Sequence, residues 1–304
     1  NGALTFVKTL VAEYITQKYG VEIPNEDGVL CRLEAPSDEE LEDSFLKFSG
    51  DVRASRSEKT AYHLSGTPEE NGFVDIVTLM LSADDVRKKA KEHGVTVTEF
   101  LCAAMMEAIL EIQAEKVHSR SRRKPVKVLI PVNLRKLFSS KTLRNFALYK
   151  TPEVDPTLGE YTFDEICAIV HHRMGLDYTA KLMGTRIATN VSSERALALK
   201  VMPLFIKNIA MKAVFDAVGE RKSCLCLSNL GNVTLPGDMP KYVERMDFII
   251  GVQARAPHNC GIITYNGTMY INMIRNIKEP ELELRFFRAL KRQGLNAAVE
   301  SNQA

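Results

Sequence analysis

The chain has 304 residues, 45% hydrophobic and 26% charged, an ordinary globular balance that can bury one large core or two smaller ones. Lys and Arg total 40 against 38 Asp and Glu, so the net charge of +2 excludes the strongly basic field of a general nucleic-acid binder. Six cysteines without CxxC spacing exclude a zinc ribbon and a disulfide framework and fit reduced cytoplasm, and no stretch is long and pure enough to span a membrane.

In chain order, apolar residues at Leu4, Phe6, Val7, Leu10, Val11, Tyr14 and Ile15 predict a helix that stops at Gly20. From Ile23 to Gly72 the chain is polar and irregular, with a short helix expected near Asp38 to Phe48, and reads as a crossover between domains. Phe73 to Leu81 alternates as a strand. Ser82 and Thr96 then cap two helices, the second apolar nearly all round and so buried. The basic run Arg120 to Lys124 reads as a solvated loop, its functional alternative being contact with the phosphates of a nucleotide-bearing donor.

Lys127 to Pro131 and Phe146 to Tyr149 read as strands, and Thr162 caps a helix that carries His171 and His172. A helical tract from Arg186 to Val218 is broken at Pro203. Its apolar part, Ala196 to Val218, reads as a core helix, or as a pocket for an acyl chain lined by Met202, Phe205, Ile206 and Ile209. Ser223 to Ser228 and Phe248 to Val252 are expected strands, with Cys224 and Cys226 as buried thiols. Ile262 to Ile274 is a hairpin turning at Asn266-Gly267, and an amphipathic helix from Glu281 to Gln293 ends at Gly294. The expected architecture is α/β (α+β), a mixed sheet covered by helices.

Six histidines are the first candidates for chemistry at neutral pH. The pair His171-His172 looks like the start of an HHxxxDG signature, but Leu176 stands where the Asp belongs and Asp177 is one place late. Inside a helix the two rings face different directions, so a structural role is expected. His93 before Gly94 reads as a helix end. His258, in the loop Pro257 to Gly261 beside Cys260, is expected to structure that loop. No metal-ligand spacing is present, and no metal site is expected.

Three blocks in order carry a resemblance: Ile130 to Arg135 (IPVNLR), Leu143 to Phe146 (LRNF) and Leu227 to Gly231 (LSNLG). They resemble the chloramphenicol acetyltransferase-like superfamily, and within it the stand-alone alcohol acetyltransferases related to nonribosomal peptide condensation domains. Arg144 replaces the Gly of that family's GNF strand, and Asp247 to Gly251 (DFIIG) only partly echoes its DFGWG motif. Asn1 to Phe6 resembles the xGxxxF continuation of HHxxxDG. The resemblance therefore implies that the catalytic histidine lies upstream of Asn1, with no catalytic base in this chain, which by itself would be inactive.

What the resemblance further implies is a chloramphenicol acetyltransferase-like two-layer domain at 73–304, preceded at 1–72 by the tail of a similar N-terminal domain and the crossover. It implies acyl transfer from an acyl-CoA or carrier-protein thioester, used as co-substrate with no permanent cofactor, to a small-molecule alcohol or amine. Ser228, Asn229 and Asn145 are the expected substrate-binding residues. The alternative from a different class is a non-catalytic binding or assembly module with the same fold.

Overall fold

Gly2–Tyr19 forms helix α1, which ends where Gly20 adopts a φ of 69°. The computed structural model describes residues 2–50, 52, 59–176, 179–195, 203–214, 220–253 and 256–303. Two short helices follow, α2 (Asp38–Leu41) and α3 (Ser44–Lys47), the first closed by a Ser37–Glu40 capping box. The chain continues through β1 (Asp75–Ser82), α4 (Ala83–Glu92), α5 (Val97–Lys116), β2 (Val126–Asn133), α6 (Arg135–Phe138), β3 (Ala147–Lys150) and β4 (Glu153–Val154). Then come α7 (Phe163–Leu176), α8 (Ala180–Arg195), α9 (Leu204–Val214), β5 (Leu225–Val233), β6 (His258–Tyr265), β7 (Thr268–Arg275), α10 (Glu281–Arg292) and β8 (Ala298–Ser301).

The caps read from the sequence form as hydrogen bonds. Ser82 accepts from the Asp85 amide, and Thr96 with Glu99 closes a capping box at the start of α5. Thr162 and Glu165 exchange the same pair of bonds before α7. The β6–β7 turn has positive φ at both Asn266 and Gly267, as a type I′ turn requires.

One mixed sheet results, in the order β3-β2-β5-β6-β7-β1-β8, with β4 also paired to β2. β2–β5 and β5–β6 are parallel; the remaining pairs are antiparallel. Alternation sends Leu225, Leu227, Cys260, Ile262, Ile271 and Met273 to the face covered by α4, α5, α7 and α10. Phe100, Leu101, Met105, Met106, Ile109 and Ile112 of α5 are wholly buried there, each contributing about 1.5–3 kcal/mol of hydrophobic free energy. On the opposite face Ala12 and Ile15 of α1 pack with Val233, Ile263, Tyr265 and Tyr270.

Three expectations are corrected. The apolar stripe of α1 divides: Ala12 and Ile15 are buried, while Phe6, Val7, Leu10 and Tyr14 stay exposed. Phe248 to Val252 is not a strand but an irregular segment crossing the sheet face, held where the backbone of Phe248 lies directly over Gly261. The apolar tract is neither core nor pocket where it is described. Phe205 and Ile209 on α9 are 69% and 70% exposed and Ile206 is exposed as well, because nothing among the described residues covers that helix. Met202, with 196–201 and 215–218, lies outside the described residues.

All six cysteines are free thiols, and burial pushes Cys224 and Cys226 up to about 12, so neither is a nucleophile at neutral pH. The basic run forms an exposed 3₁₀ turn, with Arg120 and Arg123 donating to the Thr157 and Val117 carbonyls.

Candidate functional site

β2 and β5 pair only briefly, Val128 opposite Leu225 and Leu129 opposite Cys226. Beyond that point β2 takes β3 as its neighbour, from Ile130↔Lys150 to Asn133↔Ala147, and β5 takes β6. Pro131 has no N–H to bond a further strand, and the sheet opens into a fork. α1 bridges it. Its first turn touches the loop after β2, where Gly2 packs so tightly on the Leu143 carbonyl that a Cβ would overlap it. Two turns on, the buried Lys8 amine donates to the carbonyls of Asp27 and Thr234, both at 2.7 Å. Desolvation lowers the pKa of that amine, and Asp27 partly offsets the effect.

At the β2 side of the fork an open depression of about 390 Å³ is lined by Thr5, Asn133, Arg135, Lys136 and the loop from Ser140 to Leu143. The loop is built around Arg135, whose guanidinium donates to the Thr142 carbonyl at 2.7 Å, to the Arg144 carbonyl, and to Asn133 Oδ1 at 3.2 Å. The α2–α3 segment braces it from outside: the Thr142 hydroxyl donates to the Glu42 carbonyl at 2.7 Å, and Ser44 shares a 2.7 Å hydrogen bond with Ser140. Sequence reasoning missed Arg135 as the organiser of this loop. The available signal was its place as the last residue of the PVNLR block.

The three expected substrate-binding residues lie in different settings. Leu225 and Leu227 point under α5, so alternation turns Ser228 to the opposite face, beside Gly261 and the segment crossing above it. Its hydroxyl makes no hydrogen bond to another described residue. Asn229 faces the α5 side, donating to Thr98 Oγ1 at 3.1 Å and accepting from the Gly231 amide at 2.8 Å. Those bonds hold the β-bulge between Asn229 and Asn232, where Gly231 has a φ of 78°. Asn145 is exposed just before β3. None of the three lines the 390 Å³ depression.

The histidines have structural settings. His171 and His172 lie on α7, and His171 Nδ1 sits 3.1 Å from Glu99 Oε2. His93 follows the last turn of α4, with Asp164 at 2.5 Å and Gln293 at 3.0 Å from its ring nitrogens. No three His, Cys, Asp or Glu side chains converge as metal ligands among the described residues.

His258 is buried in β6, level with Arg275 of β7, which is in turn level with Asp75 of β1. Burial, and after it the charges of Arg275 and Lys116, pushes the imidazole down to about 3, with Glu279 opposing. Folding therefore holds His258 neutral, and its contribution is complete above the unfolded value near 6.5 and lost as the pH falls from there toward 3. Glu283, raised mainly by burial, works in the opposite sense and offsets part of the loss. Wild type is expected to lose about 2 to 3 kcal/mol more than His258→Phe between pH 7 and 4.5, read by urea denaturation. Parallel pH profiles for the two proteins would exclude this origin.

No family model matches the sequence, and no curated protein matches it. Solved structures do match in shape. TRI101 of F. sporotrichioides, complexed with coenzyme A and T-2, aligns with 88% of the chain at a TM-score of 0.55 and 10% identity. The epimerization domain from the third module of tyrocidine synthetase B aligns with 96% at 0.53 and 7% identity, and the nonribosomal peptide synthetase FmoA3 with 78% at 0.50 and 15% identity. The chain shares the fold of these three proteins. The chain spans 61%, 64% and 23% of those three proteins, respectively. The fork under α1 is where the three sequence blocks meet: the first forms β2 and its turn, the second leads into β3, and the third forms β5.

Proposed function

We propose that the chain is part of an acyltransferase that moves an acyl group from a thioester, on coenzyme A or a carrier protein, to the hydroxyl or amine of a small acceptor. The observation that supports this reading is the likeness across 88% of the chain to TRI101 complexed with coenzyme A and T-2. A histidine on the segment preceding α1, implied by the sequence resemblance, acts as general base and takes the acceptor's proton. The acceptor atom attacks the thioester carbonyl carbon, the C=O π electrons move onto oxygen, and collapse expels the thiolate, which takes the proton back from the base.

Ser228 is the donor we assign to the developing oxyanion, since its hydroxyl has no partner among the described residues. Asn145 contacts substrate from the β3 side, and Asn229 shapes the bulge beyond Ser228. In protein extended N-terminally through an HHxxxDG segment, Ser228→Ala is expected to lower kcat about 100-fold at unchanged melting temperature. Thiol release from acetyl-CoA should occur with the extended protein and not with residues 1–304 alone. Equal turnover by both would refute the placement of the base.

The second reading, a non-catalytic binding module, draws on Asn229, whose amide is engaged at both ends within the fold. Tight thioester binding without thiol release from the extended protein would favour it.

A further inference from the structure

Helix α9 (LFIKNIAMKAV) has no buried residue among those whose exposure is described, although most of its side chains are apolar. Leu204, Phe205 and Ile209 are 71%, 69% and 70% exposed, and Ile206 and Met211 are also open to solvent. At 100° per residue, Phe205, Ile206, Ile209 and Ala213 gather within about 100° of one another, Lys212 borders that side next to Phe205, and Lys207 and Asn208 lie beyond its edges together with Leu204 and Met211. An uncovered apolar surface of this kind marks an interaction site.

Charge selects the partner. From Arg195 through Phe215 the sequence carries Arg195, Lys200, Lys207 and Lys212 and no acidic residue, although the whole chain is nearly neutral. A protein core would leave the ammonium groups of Lys207 and Lys212 to be paired, whereas an anionic lipid surface pairs them and takes up the apolar side chains together. An 11-residue helix is about 16 Å long, too short for a bilayer core of about 30 Å, so it lies on a membrane and does not cross it. No helix among the described residues is long and apolar enough to cross one.

We propose that α9 is a membrane-surface anchor, its Phe205–Ile206–Ile209 side immersed at the headgroup boundary of an anionic bilayer and Lys207 and Lys212 against the lipid phosphates or carboxylates. The proposal is independent of the acyltransferase reading, because it needs no catalysis.

The test is flotation of the chain with phosphatidylcholine vesicles made with and without phosphatidylserine, at low and high salt. The protein is expected to float with the phosphatidylserine vesicles at low salt and to be released by high salt. Lys207→Gln with Lys212→Gln should weaken partitioning into those vesicles about 30-fold, about 5-fold for each lysine. Phe205→Asp with Ile209→Asp should abolish flotation on both vesicle types with an unchanged circular dichroism spectrum, since both side chains are exposed. Failure of the wild type to float, or full flotation of the aspartate variant, overturns the proposal. So does a wild-type dimer in sedimentation that the aspartate variant dissociates, which would assign the face to a second copy of the chain.

Discussion

Arg275→Leu is expected to remove about 3–5 kcal/mol of stability, the largest loss foreseen for a substitution in this protein. Arg275 is 1% exposed and stands between two buried carboxylates, Asp75 Oδ2 at 3.2 Å and Glu283 Oε1 at 3.0 Å. Its Nε also donates to the Ile277 carbonyl at 2.9 Å. The side chain thus ties three elements: β7 on which it sits, β1 through Asp75 and α10 through Glu283. Asp75 is wholly buried, so loss of Arg275, its only ion-pair partner among the described residues, leaves a carboxylate without solvent or counterion.

A double variant separates the stranded charge from lost packing. Adding Asp75→Asn to Arg275→Leu should recover part of the loss, because the stranded charge is then gone. Urea denaturation measures both steps. A single-variant loss under about 1 kcal/mol would show that the carboxylates find water, and the network would then have little part in stability.

Gly261→Ala is expected to cost about 3 kcal/mol through backbone overlap and not through lost contacts. Gly261 lies in β6 level with Ser228 of β5, and the Phe248 carbonyl occupies the space a methyl group would take. Nearby bonds fix the crossing segment, so it cannot yield easily. Asn259 Nδ2 donates to the Gly251 carbonyl at 2.5 Å, Arg245 pairs with Asp247 at 2.7 Å and with Glu300 at 2.5 Å, and the Arg245 guanidinium sits 5.0 Å from the Tyr270 ring centre.

Gly175→Ala is the internal control: a Cβ there meets nothing within 4 Å in α7, and relief of backbone entropy should leave stability unchanged or slightly higher. Equal thermal shifts for the two variants would remove the overlap argument. The same substitution bears on function, since displacing Phe248 would disturb the strand face that carries Ser228. In the extended protein, Gly261→Ala should therefore lower activity even at temperatures where it remains folded.

Local signals were legible wherever the physics is local. Ser82, Thr96 and Thr162 cap helices because a side-chain oxygen and a free amide lie within one turn, and Asn266-Gly267 turns a hairpin because both positions accept positive φ. Where partners are distant in sequence, the reading failed. Phe248 to Val252 has the composition of a strand, yet Gly261 opens the sheet face to it and no neighbouring strand takes it up. The tract around Phe205 has the composition of a core helix, and hydrophobicity does not say whether anything covers it.

The site divides the same way. The order of the PVNLR, LRNF and LSNLG blocks was enough to expect the condensation-like fold that the solved structures share. Ser228 and Asn229 look equivalent as neighbours in sequence, but strand alternation sends their side chains to opposite faces. Their surroundings come from Thr98 and the segment over Gly261, both far away along the chain.

By itself, then, the sequence determined the helices, their caps, the hairpin and the α/β class, since these follow from periodicity and from bonds within a few residues. Only the tertiary structure decided the fork between β2 and β5, the Asp75–Arg275–Glu283 row and the bare face of α9. Each depends on which distant segments meet, and that is fixed by packing the whole sheet at once.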